Sequence, residues 1–214
     1  MKNNKTIFWN VDTQYDFMRN DETFKGALPI AGAREIEGNL EKLTKFAEEN
    51  KIKVVNTGDW HTLNSAEISA NPDFKTTYPA HCIIVTNGAE FVPATNPENP
   101  YVVDWRQEKI DRKQIAERRN IIVYKDDFDV FEGNKYTDEI LAIINPERAV
   151  VYGVATNVCV NFAVLGLLGR GLEVFVVEDA IKELPRLPFQ VIINKWRNKG
   201  AVLKRTGEVA DYLI

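Results

Sequence analysis

The chain has 214 residues, enough for one sizeable hydrophobic core, and 44% of them are hydrophobic. Its 27 basic and 31 acidic side chains leave a net charge of −4, which argues against nucleic acid or an anionic membrane as a partner. No apolar run is long enough to span a bilayer, the two cysteines suggest no disulfide framework, and the cytoplasm is the expected compartment.

Met1 to Lys5 runs directly into a strand rather than into a secretory leader. That strand is Thr6 to Val11, and Asp12 follows it at once. Ala33 to Asn50 has Ile36, Leu40, Leu43 and Phe46 on one side and reads as an amphipathic helix. Ile52 to Asn56 is the second strand. A long irregular tract, Thr62 to Pro100, is rich in Asn, Pro and Thr; such a length of loop usually serves a site. Asp111 to Arg119 is a short charged helix. Ile121 to Tyr124 is the third strand, with Lys125 behind it.

The second half is more regular. Thr137 to Ile144 is a helix closed by Asn145-Pro146. Ala149 to Tyr152 is a strand, Gly153 to Thr156 a turn, and Asn157 onward an apolar helix ending near Gly171. Glu173 to Val177 is a strand, and Phe189 to Lys199 a helix stopped by Gly200. Ala201 to Lys204 is a final strand, and Glu208 to Leu213 a terminal helix. Strands alternating with helices over residues 1–214 predict a single α/β domain with a mainly parallel sheet covered on both faces.

Three polar residues stand at strand ends, where open parallel sheets bind ligands. They are Asp12, Lys125 and, in the first turn of the apolar helix, Cys159. A helix N-terminus lowers a thiol's pKa through its dipole and its N–H groups, which also suit an oxyanion. A carboxylate, an ammonium and a thiol together are the parts of a covalent amide hydrolase. Each alone reads as an ordinary turn, surface or core residue.

The segments Asp12-Thr13-Gln14-Tyr15-Asp16-Phe17, Lys125 and Gly153-Val154-Ala155-Thr156-Asn157-Val158-Cys159-Val160 resemble the Asp, Lys and Cys motifs of the isochorismatase-like cysteine hydrolases, most closely the nicotinamidase branch. The resemblance runs from Ile7 to about Leu203. It implies a three-layer α/β/α sandwich with about six strands, and Asp12, Lys125 and Cys159 as catalytic residues. It implies a cis bond between Val154 and Ala155, and an oxyanion held by the N–H groups of Ala155 and Cys159. Phe17, Tyr78 and Val158 match its substrate-pocket positions.

The resemblance also bears on metal. Asp59 and His61 are separated by one residue and leave the same face of an extended segment, and His81 follows in Tyr78-Pro79-Ala80-His81. These two histidines are the only ones in the chain. Two imidazoles and a carboxylate suit a divalent ion with open positions: zinc first, with iron or manganese as alternatives. Glu67 is an additional candidate ligand.

The implied activity is hydrolysis of a small-molecule amide, with nicotinamide first. A related carbamoyl amidase, an isochorismatase-type hydrolase of another substrate and a silent binding protein are the alternatives. Tyr15, Tyr78 and Asn157-Val158 depart from the common pattern and bear on the substrate. The tract 96–119 is longer than the family minimum; an inserted excursion or a contact within a homo-oligomer accounts for it equally.

Overall fold

The computed structural model describes residues 5–185 and 189–213. Met1 to Asn4, in the run read above as leading straight into the first strand, lies outside them. Seven parallel strands form one sheet: β1 (Thr6–Val11), β2 (Lys53–Asp59), β3 (Tyr101–Val103), β4 (Asn120–Lys125), β5 (Arg148–Val154), β6 (Glu173–Lys182) and β7 (Val202–Lys204). Their order is β3-β4-β2-β1-β5-β6-β7. From β1 the chain steps to β2, crosses to the edge strand β3 and returns to β4, which lies between them. From β5 it winds to the other edge through β6 and β7. The winding direction reverses between β1 and β5, where such folds open a crevice beyond the strand ends.

The helices are α1 (Tyr15–Met18), α2 (Glu37–Glu49), α3 (Arg112–Glu117), α4 (Val130–Gly133), α5 (Thr137–Ile144), α6 (Cys159–Gly169), α7 (Phe189–Asn198) and α8 (Val209–Leu213). Alternation along the strands builds two cores. Ile7, Trp9 and Val11 pack with Ile121, Val123 and Val151 against Ile115 of α3, Ile140 of α5, Val160 and Val164 of α6 and Trp196 of α7. Phe8, Val54, Val150 and Phe175 pack on the other face against Leu40, Leu43 and Ala47 of α2 and Val209 of α8. The result is the three-layer sandwich that the alternating pattern and the resemblance imply. Asn161, the polar interruption of apolar α6, accepts a hydrogen bond from Trp196 Nε1 at 3.1 Å.

Helix ends follow local chemistry. The Asp111 side chain caps α3 by accepting from the N–H groups of Lys113 and Gln114. Asn145 ends α5 in the left-handed conformation, one residue before Pro146.

The sheet corrects the sequence reading in several places. A seventh strand, β3, pairs with β4 from Tyr101↔Ile121 to Val103↔Val123, so part of the long tract 96–119 is an edge strand. Three residues are too few to show a period. β2 runs on to Asp59 because Gly58 and Asp59 still pair with Tyr124 and Lys125. β6 runs on to Lys182, past a register shift in its pairing with β5 between Val151 and Gly153. The helix read as starting at Ala33 opens as a 3₁₀ turn, Ala33–Ile36, and α6 starts at Cys159, two residues later than predicted. Among the described residues, no helix is long and apolar enough to cross a membrane.

Candidate active site

β1, β2, β4 and β5 all end at one crevice, and each delivers a side chain or a backbone turn to it. Asp12 leaves β1 with φ of 49° while its N–H still bonds the Thr57 carbonyl at 3.1 Å. Thr57 Oγ1 donates to Asp12 Oδ1 at 2.6 Å, which fixes the carboxylate plane. Gln14, two residues on, clamps the end of β2: its side chain accepts from Asp59 N–H at 2.7 Å and donates to the carbonyls of Asp59 and Ala89. On the other side β5 passes β1 closely. A Cβ on Gly153, whose φ is 115°, would collide with the Val11 carbonyl. The next bond, Val154–Ala155, is cis. α6 then begins, with Val158 in the capping position and Cys159 as its first residue. Neither Ala155 N–H nor Cys159 N–H has an acceptor among the described residues.

Lys125 sits at the centre, 1% exposed. Its Nζ lies 3.1 Å from Asp12 Oδ2 and 3.6 Å from Cys159 Sγ, and it bonds Asp59 Oδ1 and the Asp127 carbonyl. The structure thus brings the three strand-end residues together and adds a second carboxylate, Asp59.

The charges are set by burial and by neighbours. Burial raises the Asp12 carboxyl, and Lys125 only partly offsets it. Burial opposes charge on Asp59 too, but Lys125 and the two neighbouring histidines hold it well below the usual carboxylate range. Burial works against the Lys125 ammonium, yet Asp12 and Asp59 keep it charged. For Cys159 the sequence expectation is reversed. Burial pushes its thiol well above the ordinary value, and Lys125 offsets this only in part. Burial thus outweighs the pull of the helix N-terminus on which the sequence expectation rested. A neutral thiol beside a carboxylate of raised pKa is an arrangement for transferring the proton during reaction.

A second cluster adjoins the first through Asp59. Its Oδ2 lies 3.6 Å from His61 Nε2 and 3.7 Å from His81 Nε2. One ligand atom from each of the three residues lies within 4.8 Å of the others. Glu67 Oε1 is 3.3 Å from His61 Nε2. His61 Nε2 and both Glu67 oxygens are buried with no hydrogen-bond partner among the described residues. Burial disfavours charge on His61, but Asp126, Asp59 and Glu67 carry its pKa up to about 10; burial and Asp59 carry Glu67 to about 8. Without a cation these groups hold extra protons to balance the carboxylates. A divalent ion would take the place of those protons, so the donor set fits one.

The crevice opens into a cleft that encloses about 360 Å³ of space, part of it open to solvent. Phe17, Tyr78 and Val158 line it with Asp59, His81 and Cys159. Phe17 lies 5.3 Å from the His81 ring, centre to centre. Sequence reasoning missed Leu28, Ile30, Phe128 and Leu184 on its wall. Leu184 is tied to the turn between β5 and α6 by two hydrogen bonds with the Asn157 side chain, at 2.8 and 3.0 Å. Only the pairing partner would reveal such residues, and it is distant in sequence.

Comparison with known proteins agrees with this architecture. The isochorismatase domain model matches residues 6–207. A nicotinamidase of Acinetobacter baylyi is 25% identical over 185 residues, 78% of each chain. A pyrazinamidase of Pyrococcus horikoshii, solved in complex with zinc, is 25% identical, with a TM-score of 0.74 over 94% of this chain and 99% of its own. An N-carbamoylsarcosine amidase of Thermoplasma acidophilum, 20% identical with a TM-score of 0.73 over 96% and 98%, shares the fold. The domain match spans nearly the whole length; this chain belongs to the isochorismatase family, near its nicotinamidase branch.

Proposed function

We propose that this family hydrolase is a cysteine amidase that converts nicotinamide and water to nicotinate and ammonia. The observation that carries this reading is the position of Lys125 Nζ, 3.1 Å from Asp12 and 3.6 Å from Cys159, the thiol that borders an aromatic-lined cleft.

The chemistry runs in two halves. Asp12 takes the thiol proton as Cys159 Sγ attacks the amide carbon, and the carbonyl π electrons move onto oxygen. The N–H groups of Ala155 and Cys159 receive that oxyanion, a contribution of about 3 kcal/mol per donor in acyl transfer. The carbonyl re-forms, the C–N bond breaks, and Asp12 gives its proton to the departing ammonia. A water then loses a proton to Asp12 and attacks the thioester carbon. The C–S bond breaks, and the thiol recovers the proton from Asp12. Lys125 keeps its charge throughout and favours anions on both partners.

Asp59, His61 and His81, with Glu67 beside them, would hold a divalent cation, zinc in first place, which supplies a Lewis acid for a ring nitrogen. Phe17 and Tyr78 bound the space for a flat ring, and Val158 closes it at the start of α6. A carbamoyl amino acid would call for a cation to meet its carboxylate; the wall offers Phe17, Leu28, Ile30, Phe128 and Leu184 instead. Ammonia release from nicotinamide, pyrazinamide and acetamide tests the reading. The two ring amides should be turned over far faster than acetamide, and equal rates for all three would refute the ring-binding role.

A further inference from the structure

His61 is the more deeply committed of the two histidines. Its ring is completely buried, and Nε2 faces Asp59 and Glu67 with no hydrogen-bond partner among the described residues. Its other nitrogen, Nδ1, lies 2.7 Å from Asp126 Oδ1. His81 is held differently, through Nδ1 and the Pro79 backbone carbonyl at 2.8 Å. One histidine is therefore oriented by backbone, which no substitution removes, and the other by a side chain, which substitution can remove.

Asp126 directly follows Lys125, at the end of β4. Its N–H bonds the Gly133 carbonyl at 3.2 Å, so α4 fixes the turn. A carboxylate facing Nδ1 can only accept, so in the neutral ring that binds a cation Nδ1 carries the proton and Nε2 keeps its lone pair. An imidazole whose far nitrogen donates to a carboxylate is held in one tautomer and one orientation and is a stronger ligand.

We propose that Asp126 is the positioning residue for His61, holding Nε2 ready for the divalent cation that Asp59, His61 and His81 would bind. This rests on the metal reading of that cluster. It goes further in assigning a role to a residue outside the ligand set and in linking the turn that carries Lys125 to cation affinity.

The test is zinc affinity of the chelator-stripped full chain, measured by competition with a chromophoric chelator. Asp126→Ala should bind zinc about 10–100-fold more weakly than wild type, the usual cost of losing such a partner. Asp126→Ser, too short to reach Nδ1, should behave alike and serves if the alanine variant does not fold. Asp126→Asn should recover most of the affinity, because its amide oxygen still accepts from Nδ1. The alkylation rate of Cys159 without metal should stay at the wild-type value, since Asp126 does not touch the thiol. Wild-type affinity in the truncated variants would overturn the assignment while leaving the cation site standing. Failure of the wild type itself to bind zinc would overturn both.

Discussion

Asp59 and Lys125 are bonded to each other through Asp59 Oδ1, while Asp59 Oδ2 faces both histidines. One carboxylate thus joins the nucleophile cluster to the candidate cation cluster. Asp59→Ala should therefore act in two ways, losing zinc binding and quickening alkylation of Cys159, whose thiol the Asp59 charge helps to raise. His81→Ala should lose only zinc binding. Asp59 is also a buried partner of a buried charge, and breaking such a pair costs about 3–5 kcal/mol. Asp12 remains beside Lys125, so the loss should sit at the low end. Zinc analysis, timed alkylation and chemical denaturation check the three in turn.

Asp12→Asn should lower kcat/KM for nicotinamide by at least about 10²–10⁴-fold, the usual worth of a general base. The pH profile follows from the same residue. Asp12 must be ionised to accept the thiol proton, and burial raises its pKa. Activity should therefore fall with acidification at a pH above the ordinary carboxylate range. An acid limb at or below that range would mean another group is the base.

The two cysteines should be told apart by alkylation. Both thiols are raised by burial, so reaction should be slow at neutral pH and quicken as pH rises. Cys159 borders the cleft, whereas Cys82 is fully buried and outside it. Peptide mass analysis should find the label on Cys159 first. Label on Cys82 with Cys159 spared would contradict the nucleophile assignment.

Gly153→Ala should destabilise the fold by more than about 1 kcal/mol, because φ is positive there and a Cβ meets the Val11 backbone. The same shift would move Val154 and Ala155, so activity should fall even at temperatures where the variant stays folded. Thermal unfolding and kcat on one preparation separate the two effects.

Much of this was legible in the sequence because period and strand-end position are local. Thr137–Ile144 is the predicted helix residue for residue. Asp12 and Lys125 were visible because polar residues stand out at the ends of apolar strands. What was hidden is set by pairing across distance. β3 shows only against β4, and the ends of β2 and β6 only against their neighbours. Asp126, in the run Lys125-Asp126-Asp127, reads as a solvated turn, and its partner His61 lies 65 residues away. The rise of the thiol pKa was hidden for a similar reason. The helix N-terminus is local and visible, whereas the burial that outweighs it comes from the whole fold.

The central claim is that Cys159 hydrolyses nicotinamide. Ammonia and nicotinate release by zinc-loaded wild type and Cys159→Ala, measured side by side, tests it most directly. Equimolar release by the wild type and none above background by a folded Cys159→Ala is the expected result. Release by Cys159→Ala at the wild-type rate, or no release by the zinc-loaded wild type, would contradict it.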